Sequence, residues 1–146
     1  MLYRGINKKD DETNSEKIIP KGNVENVVPL IDGKWKADGK FKFGPCKYNT
    51  ARAHQIETGL YGACAVSTSR SEMQAIKFAT SGYIEEGYVY VIDELVLESL
   101  DIVPHEFSDP LYPEEIEITL VLKSNDPIPD IAIIEKYEVG SDGKRT

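Results

Sequence analysis

The chain has 146 residues, enough for one domain and too few for two comfortable ones. It carries 25 Asp+Glu against 17 Lys+Arg, a net charge of -8, which argues against a broad nucleic-acid or anionic-membrane surface because both need a basic face. A hydrophobic fraction of 40% supports a packed core, no apolar run approaches the ~18 residues of a membrane span, and no apolar segment follows the N-terminus as in a signal peptide, so a soluble, ordered, acidic domain is expected.

The apolar run Met1-Leu2-Tyr3-Arg4-Gly5 reads as a strand. Asn7 to Asn14 is polar and reads as a loop, with one helical turn over Ser15 to Ile19 stopped by Pro20 and Gly22. Trp35-Lys36 and Phe41-Lys42-Phe43 flank Ala37-Asp38-Gly39-Lys40 as a hairpin would. Lys34, Lys36, Lys40 and Lys42 interleave with its aromatics, a pattern that can bind nucleic acid or dock a protein target, with a half-buried hairpin and solvated lysines as the plainer reading. Thr50 to Thr58 suits a helix ended by Gly59, and Gly62 to Ser67 a buried strand.

A capped helix follows. Ser69-Arg70-Ser71-Glu72 and Ser71-Glu72-Met73-Gln74 both have the capping-box pattern, Ala75, Phe78 and Ala79 share a face, and Gly82 ends it. Tyr88 to Ile92, Glu115 to Leu122 and Ile131 to Val139 read as strands, with 140–146 as a frayed tail. Strands outnumber helices, and the helices fall in the first 82 residues, which suits a single α+β domain with packed sheets. Cys46 and Cys64 are too few for a disulfide framework and lack zinc-ligand spacing, so buried thiols are expected and no metal site.

Three segments carry candidate chemistry. On the Glu115 strand, alternation sends Ile116, Ile118, Leu120 and Leu122 to the core, and Glu115, Glu117, Thr119 and Val121 to the other face. The two carboxylates then stand about 7 Å apart, from two rises of about 3.3 Å. On this segment alone a solvated strand face is the plainer reading of the pair. Arg4, followed by the unobstructing Gly5, suits a phosphate contact, though a surface arginine is the plainer reading. In Ser67-Thr68-Ser69, helix capping explains two hydroxyls, and Ser67 could orient a carboxylate on a neighbouring strand.

In order, Leu2-Tyr3-Arg4-Gly5, Thr58-Gly59, Ser67-Thr68-Ser69, Tyr90-Val91-Ile92 and Pro113-Glu114-Glu115-Ile116-Glu117 resemble the arginine, Ser-Thr-Ser, Glu-x-Glu signature of the mono-ADP-ribosyltransferase toxins, in the manner of the cholera and heat-labile enterotoxin A chains. The likeness runs over about residues 2–122. It implies a split β core of two packed sheets with flanking helices, and NAD as substrate. It implies that Arg4 holds the NAD phosphates with Gly5 beside it, that Ser67 positions Glu117, and that Thr68 and Ser69 support the local fold. Glu117 would stabilise an oxocarbenium-like transition state, and Glu115 would orient or deprotonate an acceptor, with arginine as the expected target. His54 lies near the position of a functional histidine in that family, offset by about two residues, with Arg52 at the position itself.

Tyr112 and Phe107 precede the glutamates, where that family recognises its target. The implied partners are a target protein in a recipient cell and a cognate immunity or inhibitor protein. The implied setting is a secreted or delivered effector, or the excised tip of a larger toxin, acting in the target-cell cytoplasm. Non-arginine or nucleic-acid acceptors, and an inactive binding module, are the alternatives.

Overall fold

The computed structural model describes residues 1–20, 65–106, 116–122 and 126–146, together with the strand pairs 30–31 and 34–35. The N-terminal strand β1 (Leu2–Asn7) is central rather than peripheral. It leads into α1 (Lys8–Thr13). The short strands β2 (Leu30–Ile31) and β3 (Lys34–Trp35) pair antiparallel with each other. Then come β4 (Ala65–Ser69), α2 (Glu72–Ala79), β5 (Gly87–Ile92), α3 (Glu94–Ser99), β6 (Pro104–His105), β7 (Glu117–Val121) and β8 (Ile133–Val139). Among the described residues the fold is mixed: an antiparallel sheet of six strands, ordered β6-β7-β4-β1-β5-β8, beside the β2-β3 pair, with few helices.

The sheet is forked at its middle. β1 pairs with β5 along its whole length, from Leu2↔Ile92 to Asn7↔Gly87. With β4 it pairs at Tyr3↔Ser69 alone. The two packed sheets of the expectation are thus two three-stranded halves of one continuous sheet, β6-β7-β4 and β1-β5-β8, joined at that pair. The joint matters because the strands part beside Arg4.

Both faces of the sheet are covered. Leu2, Val66, Tyr90, Ile92, Ile118 and Leu120 form the main core with Leu97 of α3. Ala75 and Ala79 of α2 pack on Val89, Val91, Tyr137 and Val139 from the other side. Double coverage explains why Thr119 and Val121, expected on an open face, are buried. Glycine lets α2 come close. A Cβ on Gly5 would lie 1.7 Å from the Ala75 carbonyl oxygen, and one on Gly87 would lie 2.0 Å from that of Ala79. The missing side chain of Gly5 therefore makes room for a helix.

Several expectations are corrected. Lys8–Thr13 is helical, because the Asn7 side chain caps it by accepting from the Asp10 amide at 2.8 Å, and Asp10 and Asp11 suit the first turn. The helical turn expected at Ser15 is absent: Ser15 and Glu16 take φ of 57° and 60°, which ends α1. Helices are not confined to the first 82 residues, since Asp93 caps α3 by accepting from Leu95 and Val96. Phe78 is exposed rather than packed under α2, whose narrow contact stripe holds Ala75 and Ala79. Ser71 is the cap that α2 uses, accepting from Gln74. Residues 140–146 fold back instead of fraying. Val139 pairs with Arg145, the Thr146 amide donates to Glu138, and Arg145 reaches Glu135 and covers the Tyr137 ring. Cys46, Cys64, residues 36–43 of the expected hairpin, the 50–58 helix and Gly62 to Cys64 lie outside the described residues. Among the described residues, no helix is long and apolar enough to cross a membrane.

One buried polar cluster ties α1 to the sheet. Asp11 is 1% exposed; it accepts from the Tyr90 hydroxyl at 2.6 Å and from Lys136 Nζ at 2.7 Å. Burial, then the bond to Asp11, pushes the Tyr90 hydroxyl up to about 12. Burial alone would lower Lys136, but its bonds to Asp11 and Tyr90 outweigh that and raise it. For both groups the folded pKa lies above the unfolded one. Their stabilisation is complete below the unfolded value and is lost as pH rises through the folded one. Denaturant unfolding should therefore show stability falling between about pH 10 and 12. Tyr90→Phe should flatten that fall, and an unchanged slope would show that Tyr90 does not drive it.

Candidate active site

The fork between β1 and β4 opens into a cleft of about 580 Å³. Arg4 and Gly5 of β1, Ser67, Thr68 and Ser69 of β4, and Glu117 of β7 all line it. Arg4 stands where the strand pairing stops. Its Nη1 donates to the Ser67 carbonyl at 3.0 Å, so the guanidinium serves a backbone oxygen in the fork. Burial pulls the Arg4 pKa below its ordinary value, and the Glu117 charge opposes that shift. A guanidinium stays protonated throughout, so Arg4 is a fixed cation at the floor.

Glu117 is the first residue of β7 and is half-buried. It pairs with Ser69 across the ladder, and Ser67 is one place further along the same face. The Ser67 hydroxyl donates to Glu117 Oε1 at 3.2 Å, and the Thr119 hydroxyl donates to Oε2 at 3.1 Å. Each carboxylate oxygen thus has a hydroxyl that orients it. Thr119 carries this role on the face that alternation assigns to Glu117, and period two was the signal that could have found it.

The remaining hydroxyls of the triplet have structural duties. Thr68, 4% exposed, donates to the Ile118 carbonyl at 2.8 Å and ties β4 to β7. Ser69 accepts from the Ser71 amide at 3.0 Å, which turns the chain into α2. The lining also includes residues not expected from sequence: Asn7, Asp10, Thr13 and Asn14 around α1, and the exposed Phe78 of α2.

The structure thus brings together Arg4, Gly5, Ser67, Thr68, Ser69 and Glu117. Glu115 and His54 lie outside the described residues, as do Phe107 and Tyr112. Ile116 has φ of 48° and precedes β7, and the expected 7 Å spacing of Glu115 and Glu117 lies outside the described residues. Among the described residues, no group of three or more His, Cys, Asp or Glu could hold a metal ion. What the cleft offers is a guanidinium beside a carboxylate held by two hydroxyls. That pairing suits a substrate that carries phosphate and develops positive charge as it reacts.

Residues 1–120 match the model of the NarE family. No curated protein matches the chain. Among solved structures, a double mutant of heat-labile enterotoxin matches with 24% identity and a TM-score of 0.48, over 100% of this chain. The chain spans 59% of the length of that structure.

Proposed function

The chain belongs to the NarE family, which is ADP-ribosyltransferase-like, and we propose that it is an NAD-dependent mono-ADP-ribosyltransferase that modifies a protein side chain. The observation that carries this reading is the Glu117 carboxylate, held by Ser67 and Thr119 in a cleft floored by Arg4. NAD is the substrate. Arg4 pairs with its phosphates, and Gly5, Thr68 and Ser69 shape the surface beside them. The cleft volume falls within the range of small-molecule sites.

In the reaction, the bond between nicotinamide and ribose breaks with its electron pair leaving on nicotinamide. Positive charge then develops on the ribose, and the fixed Glu117 carboxylate stabilises it. An acceptor nitrogen forms the new bond to the ribose and gives up a proton, which Glu115 takes. In the toxin family that the chain resembles, a glutamate two residues before the working one goes with arginine acceptors, so the proposed acceptor is arginine. His54 is assigned to the NAD site on the resemblance alone. The net charge of -8 weighs against a nucleic-acid acceptor. The implied setting is a toxin or effector delivered to a recipient cell, with an inhibitor protein guarding the producer.

The test is nicotinamide release from NAD by the purified chain, with agmatine as a small guanidinium acceptor. Release with transfer to agmatine supports the full reading. Transfer to protein but not to agmatine removes the arginine assignment, and no release removes the activity. Ser67→Ala should lower kcat about tenfold, because a hydrogen bond to a charged group contributes about 1.5–3 kcal/mol. KM should stay nearly constant, since Arg4 is bonded to the Ser67 carbonyl, which alanine keeps. A rise in KM with unchanged kcat would contradict the orienting role.

A further inference from the structure

Arg70 is exposed, outside the cleft lining, and held by three parts of the chain at once. It follows Ser69, one register step beyond the last ladder pair, Ser69↔Glu117, and so stands opposite Ile116. Its amide donates to the Ile116 carbonyl at 3.2 Å. Its guanidinium forms a two-pronged bond to both oxygens of Glu94, at 2.9 Å each. Its Nε lies 3.5 Å from Glu106. Glu94 opens α3, and Glu106 directly follows β6, the strand paired with β7.

What this arrangement holds is a strained residue. Ile116 takes φ of 48°, a left-handed conformation that costs a β-branched residue about 1–2 kcal/mol. Its side chain is 45% exposed, so close packing does not offset the cost. Such a conformation persists only where the surroundings impose it. The Ile116 bend immediately precedes β7, and Glu117 is the next residue.

We infer that Arg70 is a positioning residue for Glu117, acting through the Ile116 backbone, with Glu94 and Glu106 as its anchors. The inference rests on the reading of Glu117 as the group that faces the reacting ribose. A displacement of about 1 Å at such a group can cost as much as 100-fold in rate. The bonds to Glu94, the largest influence, raise the Arg70 pKa, and the same bonds lower that of Glu94, so the clamp is charged across the neutral range.

The experiment compares Arg70→Met, Arg70→Lys and Glu94→Gln with wild type in nicotinamide release from NAD, and in hydrogen exchange of the 116–121 segment. Arg70→Met should lower kcat about tenfold with KM within about twofold. Arg70→Lys should not restore it, since an ammonium lacks the two-pronged geometry. Glu94→Gln should lower kcat similarly, and the double variant should be no worse than either single one. Exchange at 116–119 should quicken while that of β8 stays constant. Unchanged kcat with only a lowered melting temperature would overturn the inference, as would a change in KM alone. If wild type releases no nicotinamide, the proposed activity fails and exchange alone decides: unchanged protection at 116–119 in both Arg70→Met and Glu94→Gln overturns the clamp. Glu94→Gln also serves if Arg70→Met does not fold.

Discussion

Glu117→Gln is expected to lower kcat for nicotinamide release by roughly 100- to 1,000-fold while barely moving the melting temperature. Two effects compete in that substitution. The first is loss of hydrogen bonding to Ser67 and Thr119. Glutamine keeps one acceptor oxygen, and a hydroxyl can rotate to accept from the new amide, so this loss stays near about 1 kcal/mol. The second is loss of the negative charge at the point where the ribose becomes positive. Removing one fixed electrostatic stabiliser from an enclosed site costs about 2.7–4 kcal/mol of transition-state binding. The second effect is larger and acts only in the transition state, so it falls on kcat rather than KM. Glu117→Asp separates the two, because it keeps the charge but withdraws the carboxylate by one methylene from both hydroxyls. It should fall between wild type and Glu117→Gln. Equal, slow release by wild type and Glu117→Gln would remove Glu117 from the chemistry.

The parts of the fold and site that could be read from sequence are those where pattern and environment agree. Leu2, Val66, Ile118 and Leu120 alternate as buried strand residues should, and each is in the core. Arg4, Ser67 and Glu117 lie on those same strands, so finding the strands placed the candidate residues too. Helix α1 was illegible because Lys8–Thr13 has no apolar periodicity. Its inward residue is the charged Asp11, made tolerable by Tyr90 and Lys136, which lie 79 and 125 residues away. Partners that distant leave no local trace. Ile116 hides its conformation for the opposite reason: a β-branched residue between glutamates looks like ideal strand, yet its backbone is left-handed. The fork at Tyr3↔Ser69 was also hidden, since no local pattern says where two strands stop pairing.

Gly5→Ala should be among the most destabilising single-methyl additions in the molecule, and it separates a packing role for this glycine from a role in binding phosphate. The added carbon would stand 1.7 Å from the Ala75 carbonyl oxygen and 2.7 Å from the Ala79 amide nitrogen, both backbone atoms that cannot turn aside. Helix α2 must therefore move off β1. Overpacking of this kind costs about 1–3 kcal/mol and at times more, which for a chain of this length lowers the melting temperature by about 3–10 °C. Gly87→Ala meets the same helix, 2.0 Å from the Ala79 carbonyl, and should cost a similar amount. Once either alanine has lifted α2, the other has less to displace, so the double variant should lose clearly less than the sum. Gly82→Ala is the contrast. It has φ of 78° and nothing within 4 Å, so only the left-handed backbone is penalised, by about 1 kcal/mol, and its effect should add to that of Gly5→Ala. A Gly5→Ala protein of wild-type stability that bound NAD poorly would return the glycine to the phosphate site. Stability lost in common with Gly87→Ala assigns it to the seat of α2, which also fixes the Ser69–Ser71 turn at the edge of the cleft.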